Sequence, residues 1–270
     1  LNKAAHRRLI METRLRHALS TDKFTLYYQP QINMESGTIF SSEALLRWQQ
    51  PGKEPVSCGE FISIAEETGL ILPIGEWALR QACRQLKHWH DSGYPELQVA
   101  VNLSPRQFYQ SNLLYMVECI LQESGIAANR LDLEITESIL LQRSDENIAM
   151  LKQLSALGVQ LSVDDFGTGY SSLAYLQRYP VNTIKIDQSF IHGIEQNAND
   201  RALVAAIIAM ARSLGLKVLA EGVETAQQAA FLAEHGCLCV QGFYYSAAEP
   251  PEVLTDMLRN RWGEHISGGC

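Results

Sequence analysis

The stretch QLSVDDFGTGYSS, residues 160–172, decides how the rest of the sequence is interpreted. Leu161 and Val163 alternate with polar residues, as in a short buried strand that runs into two consecutive aspartates, Asp164 and Asp165. Two carboxylates about 4 Å apart repel each other by roughly 4 kcal/mol at an effective dielectric constant near 20. One aspartate must therefore be protonated, turn towards solvent or share a cation with the other. Taken alone, the stretch fits a polar loop that caps the next helix equally well.

Strands and helices alternate along the chain on either side of this stretch. Strands are predicted at residues 24–32, 38–48, 97–103, 131–136, 160–163, 183–186, 217–220 and 238–240. Helices are predicted at residues 59–69, 75–91, 107–123, 145–157, 171–178, 200–214, 225–235 and 251–259. The short turn after the first strand predicts an antiparallel hairpin, and the later strand–helix units predict parallel strands. The pattern favours an α/β fold, a modified (β/α)8 TIM-type barrel with an antiparallel first strand.

A doubly wound open sheet is the alternative architecture. Such a sheet is expected to carry a glycine-rich phosphate turn, and neither G-x-G-x-x-G nor G-x-x-x-x-G-K occurs in the sequence. Residues 1–20 form a basic amphipathic helix with Leu9, Leu15 and Leu19 as its apolar stripe. This helix could bind a membrane or a partner, but we interpret it as a connection from an upstream domain.

The composition limits the classes of partner. The 270 residues carry a formal net charge of −8 and no run of Lys or Arg that resembles a nucleic-acid patch, which argues against a nucleic acid polymer as partner. An anionic substrate would need local positive charge from a metal or from a few placed basic side chains. No apolar run approaches the roughly 18 residues that span a bilayer. We therefore expect this domain to be cytoplasmic and free of membrane contact, although the full-length protein could be membrane-anchored.

Polar side chains follow or end nearly every predicted strand, which is where a barrel of this type gathers its active site. They are Glu43, Asn102, Glu134, Glu137, Asp164, Asp165, Lys185, Asp187, Glu221, Glu224 and Gln241. Any one of them alone could be a helix cap or a solvated loop residue. Together, their oxygen ligands suit a hard cation such as Mg²⁺ or Mn²⁺. Two such ions clamp a phosphoryl group and activate water, so the cluster predicts phosphoester hydrolysis.

The ordered motifs of the chain resemble the EAL-domain phosphodiesterases, which cleave the bacterial second messenger cyclic di-GMP to linear pGpG. The resemblance rests on Glu43-Ala44-Leu45, YQP at 28–30, VNLS at 101–104, LEITES at 133–138, DDFGTGYSSL at 164–173, KID at 185–187, AEGVE at 220–224 and QG at 241–242. These motifs extend from about Phe24 to Leu258 in the order that the family shows.

The resemblance implies a role for each residue of the site. Two ions, Mg²⁺ or Mn²⁺, would be held by Glu43, Asn102, Glu134, Asp164 and Asp165, with Glu221 acting through water. Glu43, Asp165, Lys185 and Glu221 would be catalytic, Lys185 either as a base or as an electrostatic stabiliser. The binding site for cyclic di-GMP would be lined by Gln29, Leu46, Arg47, Asp187 and Gln241. Glu137 would hold the loop after Asp165 in place.

The resemblance also implies a domain arrangement and partners. Residues 1–22 would be a linker helix that follows a GGDEF or sensor domain, residues 23–262 the barrel and residues 263–270 a flexible tail. A homodimer would form through the loop and helix after Asp165. Two segments depart from the family pattern: Cys58 replaces a common proline, and FYYSAAEPP at 243–251 replaces a serine–x–proline run. The second departure concerns ligand contacts of the loop at 246–251.

Two other functions remain open on the sequence alone. One is a catalytically inactive receptor that only senses cyclic di-GMP. The other is a barrel enzyme of a different class, in which Lys185 forms a Schiff base or two carboxylates cleave a glycosidic bond.

Overall fold

Eight strands close into one barrel in chain order, within the part of the chain that the structure describes. This computed structural model describes residues 3–21, 23–49, 56–142, 145–168 and 176–260. The strands are β1 (Phe24–Asn33), β2 (Thr38–Trp48), β3 (Gln98–Leu103), β4 (Leu131–Thr136), β5 (Gln160–Phe166), β6 (Thr183–Ile186), β7 (Lys217–Ala220) and β8 (Cys239–Val240).

Helices cover the outside of the barrel, most of them between consecutive strands. They are α1 (Lys3–Ser20), α2 (Cys58–Thr68), α3 (Ile71–Asp91), α4 (Pro105–Phe108), α5 (Leu113–Ser124), α6 (Glu137–Leu141), α7 (Asp145–Ala156), α8 (Gln188–Gly193), α9 (Ala198–Ser213), α10 (Ala226–Glu234) and α11 (Pro251–Arg259). None of the helices described is long and apolar enough to cross a membrane.

The first strand is antiparallel to both of its neighbours. It pairs with β2 in a hairpin register that sets Gln29 opposite Glu43, and with β8 through Ile32 and Val240. Every other neighbouring pair, from β2–β3 to β7–β8, is parallel. The predicted modified (β/α)8 barrel with an antiparallel first strand is therefore confirmed.

Strand β5 runs through both aspartates instead of ending before them as predicted. Its register with β6 shifts between Val163 and Phe166, so that Asp164 and Asp165 together lie opposite one residue, Lys185. Asp165 has φ 54°, the one non-glycine residue with positive φ in the described part of the chain. Aspartate tolerates this left-handed conformation better than most residues because its short side chain can hydrogen-bond locally. The bulge breaks the alternation that would otherwise point the two carboxylates to opposite faces.

The buried apolar stripe of α1 differs from the predicted one. Leu9 is 62% exposed, whereas Met11, Leu15 and Ala18 are buried in a cluster with side chains of β1, α2 and α3. Their spacing of four and three residues places them on one helix face. The leucine stripe was predicted from residue type alone, whereas the helix face that contacts α2 also includes Met11 and Ala18. Helix α1 therefore packs on the barrel wall.

The helices differ from the predicted pattern at the segment 107–123 and at two short helices. The segment predicted as one helix at 107–123 is divided into α4 and α5, because a capping box between Ser104 and Gln107 starts a one-turn helix that ends before Asn112 begins the next. Helices α6 and α8 were not predicted. The predicted helix at 171–178 falls mostly outside the described residues, as does the predicted tail at 263–270.

Candidate active site

A buried lysine contacts four carboxylates, three from different strands and one from the residue that follows a fourth strand. Lys185 of β6 has a side chain that is 1% exposed. Its Nζ lies 2.7 Å from Glu134 Oε2, 2.8 Å from Glu221 Oε1, 3.2 Å from Asp164 Oδ1 and 3.5 Å from Glu43 Oε2. The carboxylates belong to β4, β5 and β2 and to the residue after β7. The barrel thus brings together the core of the site that the sequence predicts.

The charge on this cluster is set by burial and by mutual repulsion. Burial, opposed by Lys185 and reinforced by Asp164, raises the pKa of Glu221 to about 8. Burial and the nearby Glu43 raise the pKa of Glu134 well above its usual range. Burial alone would lower the pKa of Lys185, but the surrounding carboxylates outweigh that effect and raise the pKa well above its ordinary value. Lys185 is therefore an ammonium at neutral pH, which favours electrostatic stabilisation over a role as base.

Amide side chains hold Glu43 in one orientation. Asn102 Nδ2 donates to Glu43 Oε1 at 2.6 Å, and Gln241 Nε2 donates to Glu43 Oε2 at 2.6 Å. Gln241 Nε2 also contacts Gln29 Oε1 at 3.0 Å, and Gln31 Nε2 donates to Gln241 Oε1 at 3.1 Å. Burial tends to raise the pKa of Glu43, but Lys185 and these donors bring it below its ordinary value. Gln31 was missed by the sequence argument; its place two residues after Gln29 on one strand face was the available signal.

Asp164 and Asp165 form a second group with Glu221. One carboxylate oxygen from each of the three lies within 4.8 Å of the other two. Burial, followed by repulsion from Asp164 and Asp187, raises the pKa of Asp165 to about 6. Asp187 also caps α8, since its Oδ1 accepts from Ser189 N at 2.9 Å. The bulge in β5 is what lets both aspartates reach this group.

The donor set fits a hard divalent cation. Within the described residues, neither oxygen of Glu134 nor Oδ1 of Asp164 has a hydrogen bond, although all three are buried. Buried carboxylate oxygens that lack hydrogen bonds are costly unless a cation satisfies them. Lys185 supplies one charge from close range, and oxygen-only donors of this kind suit Mg²⁺ or Mn²⁺.

Glu137 contacts the loop that follows the aspartates. It is 3% exposed, and its Oε2 accepts a hydrogen bond from Gly167 N at 3.1 Å. This contact is the one expected of a residue that holds the loop in place. Residues 169–175, which complete the DDFGTGYSSL motif, lie outside the described part of the chain.

The two predicted substrate residues of β2, Leu46 and Arg47, point to opposite faces of that strand. Leu46 is half-buried, and its side chain packs against both apolar clusters on the outer side of β2. Arg47 donates to the Leu46 carbonyl at 3.0 Å, and its guanidinium lies 5.5 Å from the centre of the Tyr27 ring. Leu45, which was not predicted as a site residue, shares the strand face of Glu43 and Arg47.

Glu224 lies outside the carboxylate cluster; its Oε1 is 3.5 Å from His192 Nε2.

The atypical loop after β8 is anchored to β1. Ser246 O accepts from Gln29 Nε2 at 3.1 Å, and the backbones of Tyr28 and Glu249 exchange hydrogen bonds of 2.7 and 3.0 Å. Gly242 makes the close approach that starts the loop, because a Cβ there would lie 2.2 Å from the backbone N and O of Val223. The loop therefore keeps a hydrogen bond to Gln29 of the site in spite of its atypical sequence.

The family model described as EAL domain matches residues 12–248. The chain belongs to the EAL domain family. The match begins inside α1, which agrees with the packing of that helix on the barrel.

This EAL domain is similar to signalling proteins of known name. It is 43% identical over 254 residues to the bifunctional diguanylate cyclase/cyclic di-GMP phosphodiesterase MucR of Pseudomonas aeruginosa, covering 94% of this chain and 37% of MucR. It is 45% identical over 255 residues to the cyclic di-GMP phosphodiesterase NbdA of the same organism, covering 94% of this chain and 33% of NbdA. The chain thus spans about a third of the length of these relatives.

Solved structures agree with the fold. The PaMucR phosphodiesterase in complex with c-di-GMP has a TM-score of 0.88 and 44% sequence identity, over 90% of this chain and 99% of that one. The EAL domain of Mycobacterium smegmatis DcpA has a TM-score of 0.73 and 35% identity, over 87% of this chain and 95% of that one.

Proposed function

We propose that this EAL domain is a phosphodiesterase that hydrolyses cyclic di-GMP to linear pGpG with the help of two divalent ions, Mg²⁺ or Mn²⁺. The observation that carries the proposal is the convergence of carboxylates on Lys185, with buried oxygens of Glu134 and Asp164 that lack hydrogen bonds. Relatives with the same domain are named cyclic di-GMP phosphodiesterases. Water would add across one phosphodiester bond, leaving a 5′-phosphate and freeing a 3′-hydroxyl.

The residues that would hold the ions are divided between the two groups described above. Glu43, Asn102, Glu134 and Asp164 would hold one ion, with the Asn102 amide oxygen as ligand because its nitrogen donates to Glu43. Asp165 would hold the second ion, and Glu221 would act through water. When bound, two such ions neutralise phosphate charge and activate the attacking water.

Lys185 and Gln241, which both contact Glu43 Oε2, would complete the chemistry. Lys185, kept protonated by its carboxylates, would stabilise the negative charge that develops on the phosphoryl oxygens. Gln241, held by Gln29, Gln31 and Glu43, would orient the water or the substrate. The raised pKa of Lys185 also argues against a Schiff-base enzyme, which needs a neutral amine.

The dinucleotide would lie over the carboxyl ends of the strands. Gln29 and Asp187 are at the rim of the carboxylate cluster, and Arg47 offers a planar fork suited to a phosphate or a guanine edge. Leu46 also remains a proposed substrate contact, although its side chain packs on the outer side of β2.

The direct test is incubation of the protein with cyclic di-GMP and either Mg²⁺ or Mn²⁺, followed by chromatography of the products. We expect pGpG with either ion and none after chelation. Tight binding of cyclic di-GMP without pGpG under any metal would support the alternative, an inactive receptor. Turnover that resists chelation would exclude the metal mechanism.

Partners and location are proposed from the family resemblance. The domain would be cytoplasmic, follow an upstream GGDEF or sensor domain through residues 1–22, and form a homodimer through the loop and helix after Asp165. The anchoring of Gly167 by Glu137 supports a link between that loop and the site. Sedimentation that shows only monomer at high concentration, with full activity, would contradict the dimer.

A further inference from the structure

A small polar cavity lies inside the barrel on the side opposite the carboxyl ends of the strands. Its volume is about 30 Å³. Gln98, Gln160, Thr183 and Lys217, the first residues of β3, β5, β6 and β7, line its outer end. Its inner end is lined by Glu134 and Lys185, so the cavity reaches the underside of the carboxylate cluster. We call it the lower cavity.

An acid with a buried oxygen lines the lower cavity beside Glu134. Asp132 precedes Glu134 by two residues on β4, so both side chains point into the barrel. Ser162 Oγ donates to Asp132 Oδ2 at 2.5 Å. Asp132 Oδ1 is buried and has no hydrogen bond among the described residues. The serine thus fixes one oxygen of Asp132 and leaves the other towards the cavity that both residues line.

Glu134 also has buried oxygens that need hydrogen-bond partners, and it lies nearer the carboxyl ends of the strands than Asp132 does. It is 1% exposed, and neither of its oxygens has a hydrogen bond in the described part of the structure; its contact with Lys185 is an ion pair at 2.7 Å. Buried polar atoms in native proteins nearly always have a partner, either protein or ordered water. A polar cavity holds a water if it offers about 10–15 Å³ and two to four polar partners. The lower cavity has room for about two waters by this measure and offers the oxygens of Asp132 and Glu134.

We propose that ordered water in the lower cavity bridges Asp132 to Glu134, and that Asp132 and Ser162 are positioning residues for the Glu134 carboxylate. A water that donates to Asp132 Oδ1 and to Glu134 satisfies oxygens that otherwise lack hydrogen bonds. The ammonium of Lys185, at the same end of the cavity, can donate to that water. Glu134 is then held from below while its upper side stays available to a ligand.

The inference rests on the proposed function in one respect, the role of Glu134 as a metal ligand. Groups that hydrogen-bond to metal ligands orient them, and their loss typically weakens metal binding by about 10–100-fold. Loss of the Asp132–Ser162 support should therefore weaken metal binding without removing a ligand.

The experiment combines a high-resolution crystal structure with Mn²⁺ titration calorimetry on three variants. Ser162→Ala removes the hydroxyl that orients Asp132 and leaves the charge of the site unchanged. Asp132→Asn keeps the shape and removes one acceptor oxygen. Gln160→Ala is the matched control, since Gln160 lines the same cavity but contributes no buried oxygen that lacks a hydrogen bond. Circular dichroism establishes that each variant is folded.

We expect water within hydrogen-bonding distance of Asp132 Oδ1 and Glu134, and Mn²⁺ binding about tenfold weaker in Ser162→Ala and Asp132→Asn. Gln160→Ala should bind Mn²⁺ within about twofold of the unmodified protein. A dry cavity would overturn the inference, as would normal Mn²⁺ affinity in Ser162→Ala or equal weakening in the control. If Asp132→Asn does not fold, Ser162→Ala and the crystal structure still decide. These readouts do not use cyclic di-GMP, so an inactive protein would refute the proposed function and leave this inference standing.

Discussion

The raised pKa of Glu221 predicts how metal-free protein responds to pH. Burial raises this pKa from an ordinary value of 4.5 to about 8 in the folded protein. The unfolded chain therefore releases this proton near pH 4.5, whereas the folded chain keeps it until about pH 8. Rising pH favours the unfolded state across that window, so the stability associated with the protonated Glu221 is present below pH 4.5 and lost as the pH approaches 8.

The substitution Glu221→Gln isolates this effect, because glutamine resembles the protonated acid and does not titrate. At about 1.4 kcal/mol for each pH unit between the two pKa values, the full effect is on the order of 5 kcal/mol. That value is an upper bound, because Glu221 shares its environment with Glu43, Asp164 and Lys185. With chelator present, Glu221→Gln should match the unmodified protein near pH 4.5 and exceed its free energy of unfolding by a few kcal/mol at pH 8.

Urea unfolding followed by circular dichroism at pH 4.5, 6, 7 and 8 measures the difference. Glu35→Gln is the matched control, since Glu35 is exposed in the turn between β1 and β2. Its stability relative to the unmodified protein should change little with pH. A difference between Glu221→Gln and the unmodified protein that stays constant from pH 4.5 to 8 would refute the reasoning.

Three further predictions concern activity and stability. Glu43→Ala should abolish hydrolysis of cyclic di-GMP, whereas Glu224→Ala should have a smaller effect, because Glu43 contacts Lys185 and Glu224 contacts His192 instead. Equal losses of product in the two variants would contradict the ligand assignment. Gly242→Ala should lower the melting temperature and the activity together, because its Cβ has no room against the loop after β7, and an unchanged Tm would argue against that close contact. Leu15→Ala should cost about 2–5 kcal/mol in urea unfolding and Leu9→Ala less than about 0.5 kcal/mol, since only Leu15 is buried; the reverse order would mean that α1 packs on its other face.

The arrangement of strands was predictable because it depends on local signals. Alternating apolar residues, turn residues and strand–helix repetition identified the strands, and the closed barrel with its antiparallel first strand followed from their order. The polar residues at strand ends were predictable for the same reason, since a barrel gathers those ends at one rim. Lys185 and its four carboxylates were thus located from the sequence before their distances were known.

Details that depend on contacts between distant segments were not predictable. The choice of Met11 and Ala18 over Leu9 as buried residues of α1 depends on where α2 lies. The division of the helix at 107–123 is different, because it depends on a local capping box, Ser104 with Gln107, whose spacing is present in the sequence. The involvement of Gln31 appears only when β1 and the residues after β8, 210 positions apart in the chain, come together.

Asp164 and Asp165 show most clearly which features the sequence determines and which depend on the folded structure. The sequence by itself indicated that two adjacent carboxylates lie at a buried strand and that one of them must be protonated, face solvent or share a cation, because like charges repel strongly at short distance. Only the tertiary structure decided how both reach one site: β5 bulges opposite Lys185, and Asp165 takes a positive φ that turns it back towards Asp164 and Glu221. A bulge is set by pairing with a neighbouring strand, and strand pairing is a property of the folded barrel that local periodicity does not contain.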